Sequence, residues 1–231
     1  MMPNESHSAA VPPSRGRFIV LDGPDGGGKT TQAAQLADWL RERGLDVVTC
    51  RDPGGTALGD RLRSILLDRG SLHPGLRAEM LLYMASRAQL VDERIRPALT
   101  AGQWVVSDRY LLSNIVYQGH AGGLGVDEVS RVGRVAIGGV LPDLTLLLDL
   151  PTELARDRVG AARDRMEDRP ETYHRAVREG FLLAAAEAAS PIGCSYYPAP
   201  VRLVDASGDA AVVAERIRIE VERALALGPR P

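Results

Sequence analysis

The sequence predicts an α/β protein with three layers, α/β/α, around a five-stranded parallel sheet. Three observations lead there. Apolar runs of strand length recur at residues 17–21, 46–50, 103–107, 144–150 and 201–204 of the 231 residues. Amphipathic helical patterns separate them. The first run leads straight into a glycine-rich octet, Gly23-Pro24-Asp25-Gly26-Gly27-Gly28-Lys29-Thr30, with a helical pattern beginning inside it. Continuous rather than alternating apolar strands are those buried on both faces, and alternation of such strands with helices is the signature of a parallel sheet covered on both sides.

Each helix has its own warrant. Residues 30–43 carry Ala33, Leu36, Ala37 and Leu40 on one stripe, and Gly44 follows as a stop signal. Residues 58–67 repeat the pattern, 76–99 read as one long helix, and 126–140, 172–189 and 210–227 complete the set. Residues 160–170 are rich in charge and poor in apolar side chains, which predicts a mobile loop between two helices. Residues 1–15 are polar, with Pro12-Pro13 and no apolar core, and read as a disordered tail. The remainder, 16–228, is expected to form one domain.

Composition narrows the partners. A net charge of −2 and a pI near 6.1 give no global field for nucleic acid or an anionic membrane. No run of about 18 apolar residues is present, as a membrane span would need. Cys50 and Cys194 lie far apart without metal-ligand spacing, so a reduced, cytoplasmic protein is expected. The four histidines, at 7, 73, 120 and 174, also lack ligand spacing.

The octet fits the G-x-x-x-x-G-K-[ST] pattern of a phosphate-binding loop. Its lysine is the only one among 28 Lys and Arg residues. A compact ammonium enters a narrow loop more readily than a planar guanidinium. In a strand–loop–helix setting, the glycines let backbone N–H groups converge on phosphate oxygens at the positive end of a helix. Gly23, Pro24, Asp25, Gly26, Gly27, Gly28, Lys29, Thr30 and Thr31 are the candidate cradle. Lys29, expected to face solvent, would neutralise β- and γ-phosphates, and Thr30 would bind Mg²⁺. The loop alone implies a nucleoside triphosphate without fixing the reaction. A GTP-reading switch needs an Asn-Lys-x-Asp segment, which a chain with no lysine after residue 29 lacks.

Further motifs fall just after strands, where such sheets bind ligands: RDPGGT from Arg51 and DRY from Asp108. LLYMASRAQ from Leu81 lies on the long helix, and YQG begins at Tyr117. With GPDGGGKTTQ, PDLTLLLD from Pro142, DRME from Asp164 and DAS from Asp205, the chain resembles the thymidylate kinase family over nearly all of residues 17–225. That resemblance implies a P-loop kinase fold, ATP-dependent phosphorylation of dTMP to dTDP, Mg²⁺ and a homodimer.

It also implies roles. Arg51 and Arg109 grip the acceptor phosphate, for which guanidinium forks are suited. Tyr83 stacks on the thymine, and Arg87, one helical turn on, donates to its 4-oxo oxygen. Asn114 reads the base edge and Tyr117 packs where a ribose 2′-hydroxyl would sit; Gln118 is a further substrate-binding residue. Asp25 meets the 3′-hydroxyl or a Mg²⁺-bound water, and Asp108 orients Mg²⁺ waters or Arg109. Ala206 and Ser207 flank the adenine. A lid near 158–170 supplies the in-line arginine, Arg158 or Arg163, because the phosphate loop carries none; Arg165 is structural, and Glu167 is the acidic position near the base or acceptor phosphate. The acceptor oxygen is already anionic, so no general base is needed. Two residues depart from the family: Tyr83 stands where Phe is usual and Asp52 where Glu is. dUMP remains an alternative to dTMP.

Overall fold

A computed structural model of the chain describes residues 16–70, 72–159 and 164–227. The predicted tail, 1–15, lies outside the described residues. The strands are β1 Phe18–Asp22, β2 Val47–Arg51, β3 Trp104–Asp108, β4 Leu144–Asp149 and β5 Val201–Asp205. They form one parallel sheet in the order β2-β3-β1-β4-β5. The helices are α1 Lys29–Glu42, α2 Ala57–Leu67, α3 Leu76–Leu90, α4 Arg96–Thr100, α5 Leu111–Asn114, α6 Val126–Ile137, α7 Thr152–Val159, α8 Glu171–Ala188 and α9 Ala210–Leu225.

The three layers follow from the alternation along the central strand. Phe18 and Val20 point into one core with Met84 of α3, Leu111 of α5, Val129 of α6 and Phe181 of α8. Ile19 and Leu21 point into the other, against Leu36 and Leu40 of α1 and Val213 and Ile217 of α9. Every residue of β1 is buried. Burial on both faces is what makes the inner strands β1, β3 and β4 read as apolar runs, whereas the edge strands β2 and β5 are partly exposed.

The long helix predicted over 76–99 is one helical path with a different interior. Residues Val91–Ile95 adopt a π-helical turn between α3 and α4, and Pro97 occupies the first turn of α4. A proline has no N–H for the carbonyl four residues back, so the ladder widens there. The predicted helix 126–140 ends at Ile137 because Gly138 takes a left-handed conformation, φ 52°. Helix α7 was not among the predicted helices. A second π-helical segment, Ile115–Ala121, continues α5 and carries Tyr117 and Gln118. Among the described residues no helix is long and apolar enough to cross a membrane.

The register sets the site. Leu21 pairs with Asp108, and Asp108 with Arg51, so three strand ends lie side by side at the carboxyl edge. The sheet reverses direction of winding at β1, between β3 and β4. That crevice is where an open α/β sheet holds ligands.

Candidate active site

The glycine-rich loop leaves β1 and ends at Gly28, the N-terminal cap of α1, in a left-handed conformation. Two glycines are required by close approach. A Cβ on Gly23 (φ 134°) would lie 2.5 Å from the Leu148 carbonyl oxygen, and one on Gly26 (φ 79°) 2.2 Å from that of Ala155. At these two positions the loop lies against β4 and α7 with no room for a side chain.

Lys29 does not face solvent as expected. It is 7 % exposed, and its Nζ donates to the Pro24 carbonyl at 2.6 Å. Burial, assisted by Arg109, lowers its pKa to about 8, against the opposing pull of Asp25, Asp108 and Asp22. A neutral amine cannot neutralise phosphate. In the free enzyme kcat/KM for ATP should therefore fall roughly tenfold per pH unit above about pH 8. With polyphosphate bound, the added negative charge favours the ammonium, so kcat should hold to higher pH. Initial rates across pH 6.5–10 check this, and a kcat/KM flat to the top of the range would contradict it.

Thr30 Oγ1 donates to Asp108 Oδ2 at 2.5 Å. The two residues assigned to Mg²⁺ thus touch across the β1–β3 seam. Arg109, the next residue, has φ 69°, outside the usual range for a side chain with a Cβ. Its Nη1 donates to the Gly23 carbonyl and to Ser113 Oγ, both at 2.9 Å. Its Nη2 bonds to Asp25 and lies 3.3 Å from the Tyr117 hydroxyl. The Tyr117 hydroxyl donates to Asp25 Oδ2 at 2.8 Å. Burial raises the Asp25 carboxyl, but Arg109 and Lys29 with that hydroxyl outweigh it and hold the group below the ordinary carboxylate range. Asp22 stands behind: it is fully buried, accepts from Ser113 Oγ at 2.6 Å and lies 3.5 Å from Arg109 Nη1. Burial pushes its pKa up, against the pull of Arg109.

A cavity of about 440 Å³ opens in front of these groups. Lys29, Thr30, Arg51 and Arg109 line it together with Tyr83, Arg87, Asn114 and Tyr117. Arg87 is 1 % exposed. Its Nε donates to Asp52 Oδ2 at 2.5 Å and its Nη2 to the Tyr110 carbonyl at 3.2 Å, while Nη1 lies 3.1 Å from the Met84 sulfur. Asp52 is equally buried, and its pKa is raised by desolvation against the pull of Arg87. So the shorter acid at position 52 holds the guanidinium of position 87. Asn114 donates to Gln118 Oε1 at 2.6 Å.

A family model described as thymidylate kinase matches residues 21–192. The chain belongs to the thymidylate kinase family. It is 44 % identical over 216 residues to the thymidylate kinase of Rhodopirellula baltica, covering 94 % of this chain and 84 % of that one. It is 41 % identical to that of Chromobacterium violaceum over 216 residues, 93 % and 97 % of the two chains. It is 44 % identical to that of Clavibacter sepedonicus over 217 residues, 92 % and 98 %. The chain is a kinase that transfers a phosphoryl group from ATP to dTMP, yielding dTDP.

Within this family member the predicted residues do not all gather in one place. Asp25, Gly26, Gly28, Lys29, Thr30, Thr31, Arg51, Tyr83, Arg87, Asp108, Arg109, Asn114, Tyr117, Gln118 and Arg158 line the cavity. Gly23 and Gly27 are buried behind it, and Pro24 lines a neighbouring cavity of about 160 Å³ between the phosphate loop and α8. Ala206 and Ser207 do not line the main cavity. Ala206 is fully buried in the second core, and Ser207 donates to Asp205 Oδ1 at 2.6 Å. Arg158, expected to reach the transferred phosphoryl group, instead donates to the Ala206 carbonyl at 3.1 Å and the Gly208 carbonyl at 2.9 Å. It bridges α7 to the loop that should flank adenine, whose free carbonyls are the nearest acceptors for its fork. Arg163, the other candidate, lies outside the described residues. Arg165 pairs with Glu79 at 2.7 Å.

Some cavity residues escaped the sequence reading. Arg63 donates to the Pro53 carbonyl at 3.0 Å and shares the wall with Arg51. Asp22 and Glu79 are buried acids behind the lining. Asp22 could have been suspected as a charged residue closing an all-apolar strand; α3 gave no comparable hint at Glu79.

Proposed function

We propose that this chain carries out dTMP phosphorylation by placing two nucleotides end to end in the cavity, with ATP phosphates on the loop at Gly23 to Thr31 and the dTMP phosphate between Arg51 and Arg109. The observation that carries this reading is that Lys29 and the two strand-end arginines wall one cavity. A dTMP phosphate oxygen, already anionic, attacks the γ-phosphorus of ATP; the bond to the ADP oxygen breaks as the new one forms, and no proton moves. The residues therefore contribute position and charge rather than acid–base chemistry. Lys29 leaves the Pro24 carbonyl for the polyphosphate, and Arg109 exchanges its bond to Asp25 for the acceptor phosphate. Freed from Arg109, Asp25 is available to the deoxyribose 3′-hydroxyl.

At the base end, Tyr83 offers its ring for stacking. Arg87 Nη1, whose partner is only a weak thioether acceptor, keeps a donor for the 4-oxo oxygen. Thr30 and Asp108 present adjacent oxygen atoms, the donor set a hard cation such as Mg²⁺ takes. When bound there Mg²⁺ would offset negative charge on the phosphates. Arg158 holds the Ala206–Gly208 loop on the adenine side. Residues 16–228 act as one domain in the cytoplasm, without nucleic acid. Exposed Leu58 and Ile65 of α2, Leu81 of α3 and Val135 of α6 support a homodimer through these helices.

A coupled ADP-release assay across dTMP, dUMP, dCMP, AMP and buffer alone tests the reading. The expected order is dTMP first, dUMP weaker, and dCMP, AMP and buffer near background. ADP release with AMP alone, or equal release with no acceptor, would overturn it.

A further inference from the structure

One acid near the cavity has no role in that mechanism. Glu79, in α3, is fully buried. Its Oε2 faces two guanidinium groups, Arg165 Nη2 at 2.7 Å and Arg169 Nη2 at 3.2 Å. Its Oε1 accepts from Gln118 Nε2 at 2.9 Å. Gln118 Oε1 in turn accepts from Asn114 Nδ2 at 2.6 Å. The chain ends at Asn114 Oδ1, which is buried and has no hydrogen-bond partner among the described residues, on a side chain that lines the cavity. Glu79, Gln118 and Asn114 are 0 %, 1 % and 2 % exposed, so water does not compete for these bonds.

The direction of every bond follows from one end. A carboxylate whose far oxygen faces two guanidinium groups offers only acceptors. Gln118 must then turn its NH₂ toward Glu79, which aims its carbonyl at Asn114. Asn114 must spend its NH₂ on Gln118, which leaves its carbonyl as the unsatisfied group. Reversing Gln118 would set its carbonyl against the carboxylate and its NH₂ against that of Asn114, and reversing Asn114 alone would set carbonyl against carbonyl, in a dry interior where an unpaired polar group costs about 1–3 kcal/mol. Asn114 is therefore held as an acceptor.

We infer that Glu79 is a positioning residue that sets pyrimidine specificity: through Gln118 it fixes the amide of Asn114 so that the site accepts a base with an N–H at ring position 3 and rejects one with a lone pair there. Thymine and uracil carry that N–H; cytosine carries the lone pair, which would face the Asn114 carbonyl and leave two buried acceptors unpaired. Glu79 itself touches no substrate. Its role rests on the reading of Asn114 as a base contact.

The test is steady-state kinetics of the full chain with ATP and either dTMP or dCMP, for wild type, Glu79→Gln, Gln118→Met and Asn114→Ala, with thermal melts to show that each is folded. Glu79→Gln keeps the shape but lets position 79 donate, so both amides are free to reverse. The ratio of kcat/KM for dTMP over dCMP should fall by about tenfold or more, through KM, with kcat for dTMP changed less than about threefold. Gln118→Met cuts the chain while leaving Glu79 with its arginines, and should produce the same loss of discrimination even if Glu79→Gln folds poorly. If both variants scale the two acceptors equally, or leave the ratio unchanged, while Asn114→Ala raises KM for dTMP, the role of Glu79 is wrong and the base contact stands. An Asn114→Ala enzyme with unaltered KM for dTMP sinks both.

Discussion

Lys29→Met should lower kcat about a thousandfold and leave the melting temperature unchanged or slightly higher. The loss follows from charge. The γ-phosphoryl group passes through a transition state whose negative charge is spread over oxygens in a site partly closed to water, where removing one well-placed donor costs on the order of 10²–10³ in rate. Lys29 is the only lysine in the chain, and a planar guanidinium does not reproduce its compact ammonium. The stability side follows from burial. The ammonium is 7 % exposed and its pKa is depressed to about 8, which means that folding disfavours its charge. Below pH 8 that penalty is fully present in the wild type; it disappears as the lysine deprotonates between about pH 8 and its unfolded value near 10.5. Met fills the same space without a charge. Alanine is the poorer probe, since it would leave a void beside the Pro24 carbonyl. Single-turnover rates and a thermal melt at pH 7 check both halves. Retention of more than about a tenth of kcat would remove Lys29 from the mechanism.

Arg109→Lys should prove nearly as damaging, although it conserves charge. Arg109 meets the Gly23 carbonyl, Ser113 Oγ, Asp25 and the Tyr117 hydroxyl from one planar fork, and one ammonium cannot span those partners. On the proposed arrangement the acceptor phosphate loses its bidentate partner, so kcat/KM for dTMP should fall about a hundredfold, chiefly through KM. Asp22 remains buried with a weaker counter-charge. Losing two charge-assisted bonds of about 1.5 kcal/mol each should lower the melting temperature by about 6–12 °C for a domain of this size. Equal KM values for wild type and variant would place the acceptor phosphate elsewhere.

What the sequence disclosed was what lies close together in it. The phosphate loop is nine consecutive residues between a strand and a helix, so its chemistry and its setting are read at once. Strands buried on both faces announce themselves as apolar runs. The ends were less legible, because Pro97 widens a helix and Gly138 stops one without breaking the apolar pattern around them. The hidden part is pairwise and distant. Asp52 and Arg87 are 35 residues apart, Glu79 and Gln118 are 39 apart, and Arg158 lies 48 from the carbonyl it holds. Nothing in the spacing of α3 distinguishes a buried glutamate from a solvated one, because the arginines that neutralise it come from beyond residue 160. For Lys29, a flexible glycine-rich loop suggested exposure; the fold instead buries it against the Pro24 carbonyl, among Arg109, Asp25, Asp108 and Asp22.

The approach of α7 to the phosphate loop also limits what the loop can become. Any side chain at position 26 would collide with the backbone of Ala155, an atom that cannot swing aside as a side-chain tip would. α7 would have to retreat before a replacement at 26 could be accommodated, so an element far along the chain dictates which residue the loop carries there.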